Sequence, residues 1–402
     1  MLGSIVRTLF RALVERVRRA VRRAARSESR LRIGVDIRPF YEPLTGIGWY
    51  LYHLLHEFAK HPEVELYLFG DARVTDLGPA LHAVVPANAH LCWFDARGRG
   101  KIARLDRALT AAAYVAWMLI VDCDVMFEAN YFLPRLLAAV ARRRVIAIHD
   151  LTYKRFPDLL QKETLHNLER HMQREITVAD AIVCVSECTR NDLLEFYEVD
   201  PRRVHVIHSG IGLPAAEGEP AAEGRSESGH YILFVGTIEP RKNLGVLLEA
   251  FEALRARGAY DGELVVVGRI GWKSEQIAPR LRGDGVRHLD YLQAGELVEV
   301  YRNAGIFVFP SIYEGFGFPL LEAMAHGVPS IAARSSSLPE IGGDAALYFD
   351  PHDARELERT LERLMGDRAL REELAKRGRE RAARFRWEDA AARTLEVLQR
   401  AG

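Results

Sequence analysis

From Leu31 to the C-terminus, short apolar runs alternate with longer stretches in which apolar residues return every three or four positions. The runs predict buried strands, and the spaced stretches predict amphipathic helices. In the first half, strands are expected over 32–37, 64–69, 125–127, 145–148, 181–185 and 204–207, with helices over 49–60, 106–121 and 160–177. In the second half they are expected over 231–235, 264–267, 288–289, 306–309 and 329–332. Helices over 244–257, 296–303 and 354–365, and one opening at Pro319, alternate with that second set. Such alternation predicts an α/β fold built on parallel sheets with both faces covered. Between the halves, residues 213–229 carry no large apolar residue beyond Leu213 and are rich in Pro, Gly, Ala, Glu and Ser, the composition of a flexible linker. The expected organisation is therefore a first Rossmann-like unit over 31–212, a linker over 213–229 and a second unit over 230–385. A C-terminal helix over 386–402 follows. Ligands of such sheets bind at the C-terminal strand ends, so two units place a cleft between those ends.

The pattern before Leu31 differs. Ile5, Val6, Leu9, Phe10, Leu13, Val14, Val17 and Val21 fall on one face of a helix over 3–26, and arginines fill the other. Residues 1–30 hold nine arginines against Glu15 and Glu28, whereas the whole chain balances 55 Lys+Arg against 55 Asp+Glu. A basic face opposite a Leu/Phe/Val face suits an anionic membrane surface. A helix packed on the protein's own body, a poorly ordered arm or an organelle presequence gives a similar pattern. No apolar run approaches the roughly 20 residues of a membrane span, and the arginines interrupt the apolar residues rather than preceding them as in a secretory signal. A cytoplasmic protein, peripheral on the inner face of the membrane, is the expectation.

Composition narrows the chemistry. Among 402 residues, 49% are hydrophobic and 27% charged, as in ordinary globular proteins. The balanced charge offers no global field to recruit nucleic acid. Cys92, Cys123, Cys184 and Cys188 lack the companions of a zinc site and are expected as reduced thiols.

Two strings carry the candidate chemistry. In Pro310–Pro329, PSIYEGFGFPLLEAMAHGVP, a buried strand ends in a glycine-bearing loop, and Pro319 suits the start of a helix. Amides over Gly317–Leu320 are then expected to face outward as an anion-binding helix terminus. Glu314 precedes that terminus and Glu322 is expected in its first turn. Two carboxylates there match pairs of sugar hydroxyls. In Phe234–Asn243, FVGTIEPRKN, a strand and Gly236 lead to two adjacent cations, Arg241 and Lys242, at a helix entrance. Fixed cations stabilise the charge that develops on a departing diphosphate.

The string EGFGFPLLEAMAHGVP resembles the E-x7-E signature of glycosyltransferase family 4, whose members have the two-domain GT-B architecture; the resemblance extends over roughly 31–390. It implies that Glu314 contacts the donor sugar and Glu322 the nucleotide ribose, with Gly315, Phe316, Gly317, Phe318, Pro319 and Leu320 holding the hexose and diphosphate between them. Thr45-Gly46-Ile47-Gly48 is similar to the family's glycine-rich first loop, which places Gly46 and Gly48 beside the donor diphosphate. Ile148-His149-Asp150-Leu151 looks like its HD motif, which implies His149 near the reacting carbon, with Asp150 as a candidate orienting partner. The expected catalytic set is His149, Arg241, Lys242 and Glu314. The sequence departs from the family at Thr237, where an arginine is usual, and at Ser209 and Gly212 before the linker.

The resemblance implies a retaining transfer without a metal. Asp122-Cys123-Asp124 has the spacing of a metal-binding D-x-D, but it is expected to cap a helix–strand junction. The cation string is similar to that of bacterial polysaccharide mannosyl- and rhamnosyltransferases. That similarity implies GDP-mannose as donor and a saccharide or lipid-linked saccharide as acceptor. A non-catalytic membrane-associated partner with the same fold, and a nucleotide-sugar epimerase or hydrolase, are the alternatives.

Overall fold

A computed structural model describes residues 30–40, 46–71, 89–94, 123–130, 141–213 and 231–401. The expected helices over 3–26 and 106–121, Asp122 and all but the first residue of the 213–229 linker lie outside the described residues.

Two parallel sheets organise the molecule, and together they make the α/β GT-B architecture. The first has seven strands in the order β3-β2-β1-β4-β5-β6-β7. These are β1 (Leu31–Asp36), β2 (Val64–Asp71), β3 (Ala89–Phe94), β4 (Cys123–Glu128), β5 (Ala141–Ile148), β6 (Ala181–Cys184) and β7 (Val204–Val206). The second has six in the order β10-β9-β8-β11-β12-β13. They are β8 (Tyr231–Val235), β9 (Leu264–Val267), β10 (Val286–Leu289), β11 (Ala304–Phe309), β12 (Ser330–Ala333) and β13 (Ala346–Phe349). In both sheets the strand order reverses beside the first strand of the unit, at β1/β4 and at β8/β11. Crevices for ligands form at such reversals, outside the carboxyl ends of the strands.

Helices cover the sheets: α1 (Gly46–Phe58), α2 (Thr152–Arg155), α3 (Lys162–Val178) and α4 (Glu187–Phe196) belong to the first. The second carries α5 (Leu244–Ala256), α6 (Ala294–Asn303), α7 (Phe318–Ala325), α8 (Leu338–Gly342), α9 (Ala354–Gly366) and α10 (Arg368–Ala382). Local chemistry fixes several ends. Ser186 accepts the Thr189 amide to cap α4, Asp353 accepts the Glu356 amide to cap α9, and Gln293 with Glu296 forms a reciprocal capping box on α6. The last helix, α11 (Trp387–Ala401), crosses back and packs against α1, β4, β5 and β6. Trp387 anchors it: its ring stacks on His53 of α1 at 4.7 Å, and its indole N–H donates to Ile211 O at 2.9 Å.

Strand interiors are apolar on both faces; Ile33, Val35, Val125, Phe127 and Val145 are fully buried, as parallel sheets require. Where the strands differ from expectation, polar residues are the reason. β5 begins at Ala141 rather than 145 because Arg143 and Arg144 occupy strand positions; Arg144 pairs with buried Glu175 at 2.5 Å. β4 begins at Cys123, so Asp124 is a strand residue rather than a junction cap, and its carboxylate accepts the Arg32 amide of β1 at 3.0 Å. Strands β3 and β13 lie at sheet edges and are not among the expected strands, although 91–94 and 346–349 are short apolar runs.

Candidate donor site at the facing sheet ends

The site is built where β11 ends. The chain leaves Phe309 into the loop 310–317, which a serine-rich segment holds from the side. Ser335 Oγ donates to Ser311 O, Ser336 Oγ accepts the Glu314 amide at 2.8 Å, and Ser337 Oγ reaches Glu314 O and Phe316 O. Below the loop, Asn243 adopts a left-handed conformation (φ 54°), and its side-chain amide donates to Pro310 O and Pro351 O. Asn is among the few residues that take this conformation readily. It fixes the short 3-10 turn Pro240–Lys242 against the loop, and the Ile312 amide donates to Arg241 O.

That arrangement brings both cations onto one carboxylate. Lys242 Nζ lies 2.6 Å from Glu314 Oε1, and Arg241 Nη1 lies 2.7 Å from Glu314 Oε2 and 2.8 Å from Tyr313 O. Glu239 holds the far side of the guanidinium at 2.8 Å. Lys242, Glu314 and Glu239 are all buried. Burial alone would raise the Glu314 carboxyl, but Arg241 and Lys242 outweigh it and hold the group at about 2. Desolvation lowers Lys242 despite its partner. Gly236, with φ of +154°, lies beside the Lys242 stem, 3.6 Å from where a Cβ would stand, which is ordinary contact.

Glu322 has the same burial and a different neighbourhood. Its Oε2 accepts the Tyr301 hydroxyl at 2.9 Å, while its Oε1 faces Gly212, where a Cβ would stand 2.6 Å away. Burial raises its carboxyl to about 7, and the Tyr301 hydrogen bond only partly opposes that. Helix α7 begins at Phe318 with Gly317 (φ +108°) as its cap, so Pro319 is its second residue and Glu322 opens the second turn rather than sitting in the first. The Leu320 amide is also not free, because it donates to Gly317 O at 3.1 Å. A first turn that contains a proline keeps fewer outward amides than the sequence suggests. Phe316 and Leu320 are buried, and Phe318 is half-buried against Trp387.

From the first unit, His149 reaches the same place. Gly315 packs so tightly that a Cβ on it would meet His149 O at 1.7 Å, a contact only glycine allows. The Thr189 hydroxyl lies 3.2 Å from His149 O and 3.4 Å from Gly315 O. His149 Nε2 hydrogen-bonds Ala129 O at 2.8 Å, and the ring meets Tyr50 of α1 edge-on at 4.9 Å. Desolvation lowers its pKa. Asp150 accepts the Thr152 amide at the start of α2, and its charge also acts on the His149 ring against desolvation. Gly46 and Gly48 are not loop residues but lie in the first turn of α1, with open space around the Gly46 Cα. The first-turn amides of a helix have no intrahelical backbone partners; Gly46 stands in open space there and Gly48 is buried.

Several residues of the site had no signal in the motifs. Tyr301 sits 21 positions before its partner, and Glu239 and the serines 335–337 look like ordinary loop residues in sequence. Tyr313 donates to Asp192 of α4 at 2.5 Å and receives the Leu151 amide. Glu340 of α8 crosses between the units: its carboxylate accepts the Glu187 and Cys188 amides at the start of α4, and His208 Nε2 lies 2.5 Å from it. A second acidic group lies at the β1/β4 reversal. Asp36 and Glu128 are both buried, Arg38 Nε lies 2.5 Å from Asp36, and burial beside Asp36 pushes Glu128 well above the usual carboxylate range.

Two nucleotide-fold units, a cation pair against a buried carboxylate and a second carboxylate at the next helix define a class that known proteins share. Residues 44–213 match the model of "Glycosyltransferase Family 4" and residues 216–381 that of "Glycosyl transferases group 1". The O-antigen chain mannosyltransferase B of Escherichia coli is 30% identical over 380 residues, covering 90% of this chain and 97% of its own. The protein belongs to the group 1, family 4 glycosyltransferases and is a glycosyltransferase. Among solved structures, sucrose-phosphate synthase from Thermosynechococcus elongatus superposes with a TM-score of 0.66 at 21% identity, covering 92% of this chain and 99% of its own. Anabaena HepE in complex with UDP-glucose gives 0.67 at 16%, covering 92% and 100%. Both share the fold. Among the described residues no helix is long and apolar enough to cross a membrane.

Proposed function

We propose that the protein transfers mannose, with retention of configuration, from GDP-mannose to a saccharide acceptor, lipid-linked, in the synthesis of a cell-surface polysaccharide. The observation that carries this is the Arg241–Glu314–Lys242 cluster at the mouth of the second sheet. Arg241 and Lys242 supply the positive charge that a departing nucleoside diphosphate requires. Glu314, held ionised by them, accepts hydroxyls of the donor sugar, and Glu322 accepts the ribose hydroxyls through Oε1. His149 stands beside the reacting carbon, and Gly46 and Gly48 let the diphosphate approach the start of α1. Glu314 is charge-neutralised by two cations and so is a weak nucleophile. A front-side displacement suits it better: the acceptor oxygen bonds to C1 as the C1–O bond to phosphate breaks, and the acceptor proton passes to the leaving phosphate.

The choice of mannose rests on the E. coli mannosyltransferase relative. Thermal shift across a panel of nucleotide sugars tests it, because selective binding stabilises the folded state. GDP-mannose is expected to give the largest shift, and a larger one with a UDP-sugar overturns the donor. Turnover is expected to survive EDTA; loss restored by Mg²⁺ or Mn²⁺ overturns metal independence. Residues 1–30 would hold the enzyme on anionic lipid, on the cytoplasmic face. Nine arginines contribute on the order of 1 kcal/mol each near such a surface. Full-length protein should co-sediment with anionic vesicles at low salt while a chain beginning at Ser29 does not. Failure of the full-length protein to sediment removes the anchor.

A further inference from the structure

A cavity of about 230 Å³ lies between the end of β7 and the junction of α10 with α11, and two of its walls, His208 and Phe385, pack against Phe316 of the 310–317 loop. His208, Phe385, Arg381, Arg384, Arg386 and Arg393 line it, and Asp389 is its one carboxylate. Two of the arginines are held in place by backbone. Arg381 donates to Glu340 O and Ile341 O and lies over the Phe385 ring, and Arg393 donates to Val206 O at 2.7 Å. Arg384 has no ion pair or side-chain hydrogen bond among the described residues, and Arg386 has only Glu388 at 3.6 Å. Four guanidinium groups around one concave space, with a single acid to offset them, repel one another unless an anion sits among them. Planar forks with several unspent N–H donors match the tetrahedral oxygens of phosphate, and a multiply charged ligand gains most.

We propose that this pocket is a second anion site, distinct from the donor cleft, for a phosphate or diphosphate group. Its place gives it a purpose. His208 is both a wall of the pocket and the partner of Glu340, the carboxylate that ties α8 to the start of α4. An anion bound there would sit against the same imidazole that meets Glu340, beside the contact that joins the two units.

Titration of the full chain with inorganic diphosphate at low salt, followed by calorimetry, reads the site directly. Because the proposed donor cleft also takes a diphosphate, two equivalents are expected for the wild type. The Arg384→Ala/Arg386→Ala variant, altered only at exposed side chains, should lose one equivalent or bind it at least tenfold more weakly. Lys242→Ala should lose the other. Identical titrations of wild type and the double variant overturn the pocket; a Lys242→Ala variant that keeps both equivalents counts against the donor reading and leaves the pocket standing. Vesicles containing phosphatidylglycerol separate a lipid headgroup from a soluble ligand. Weaker sedimentation of the double variant than of wild type assigns the phosphate to lipid, and equal sedimentation with lost diphosphate binding assigns it to a soluble molecule.

Discussion

Glu314 and Glu322 stand eight residues apart, equally buried, and their electrostatics are opposite. Glu314 meets two cations and is held near a pKa of 2; Glu322 meets one hydroxyl and rises to about 7. Equal burial therefore ends in opposite charge states: it dominates at Glu322, where the only partner is a hydroxyl, and is outweighed by two cations at Glu314. At neutral pH one end of the site is a fixed ion cluster and the other sits close to its own titration. In the proposed reading the first end faces the donor diphosphate and the second the ribose.

The largest effect should come from the ion cluster. Lys242→Ala removes a preorganised charge from the leaving group and should lower turnover by about 10²-fold or more. It also leaves Glu314 buried with one cation in place of two, which lowers stability as well. Normal turnover in a folded variant takes Lys242 out of the mechanism.

The next test separates the two glutamates by pH. The folded pKa of Glu322 is raised above its ordinary value near 4.5, so its contribution to stability is full below about 4.5 and is lost as the pH rises towards 7. The difference amounts to about 3 kcal/mol. Glu314 is depressed, so its contribution is present above about 4.5 and is lost as the pH falls towards 2. Urea denaturation across pH should show Glu322→Gln flattening the slope between 4.5 and 7 and more stable than wild type at pH 8. An unchanged slope refutes the raised pKa.

Tyr301→Phe should give the smallest change. Removal of a hydrogen bond to a charged group costs roughly 1.5–3 kcal/mol. The Glu322 midpoint should move upward, because the hydroxyl favours the ionised form. Nucleotide affinity measured at pH 6 and pH 8 checks it: the loss should be greater at pH 6.

The sequence exposed the ion cluster more fully than the Glu322 end. Arg241, Lys242 and Glu314 fall within two compact strings whose glycines and prolines mark turns, so their chemistry could be read locally. Tyr301 could not be read in this way, because it is a residue of α6 whose hydroxyl meets Glu322 of α7 only once the chain has passed through β11 and folded back. Glu340 likewise looks like a helix-start acid, yet its ligands are amides of the other unit. The strands were legible where both faces are apolar. Charge broke the run at the start of β5, whereas the edge strands β3 and β13 are short apolar runs that four residues alone do not distinguish from a buried helix segment.

At Gly315 the two units meet main chain to main chain, against the carbonyl of His149. Such a junction works as a depth stop: no rotamer can yield there, and any side chain added can only hold the jaws further apart. Engineering toward bulkier donors could use that position as a spacer, Gly315→Ala being the thinnest available. The natural residue is already the limit of how far the jaws can shut.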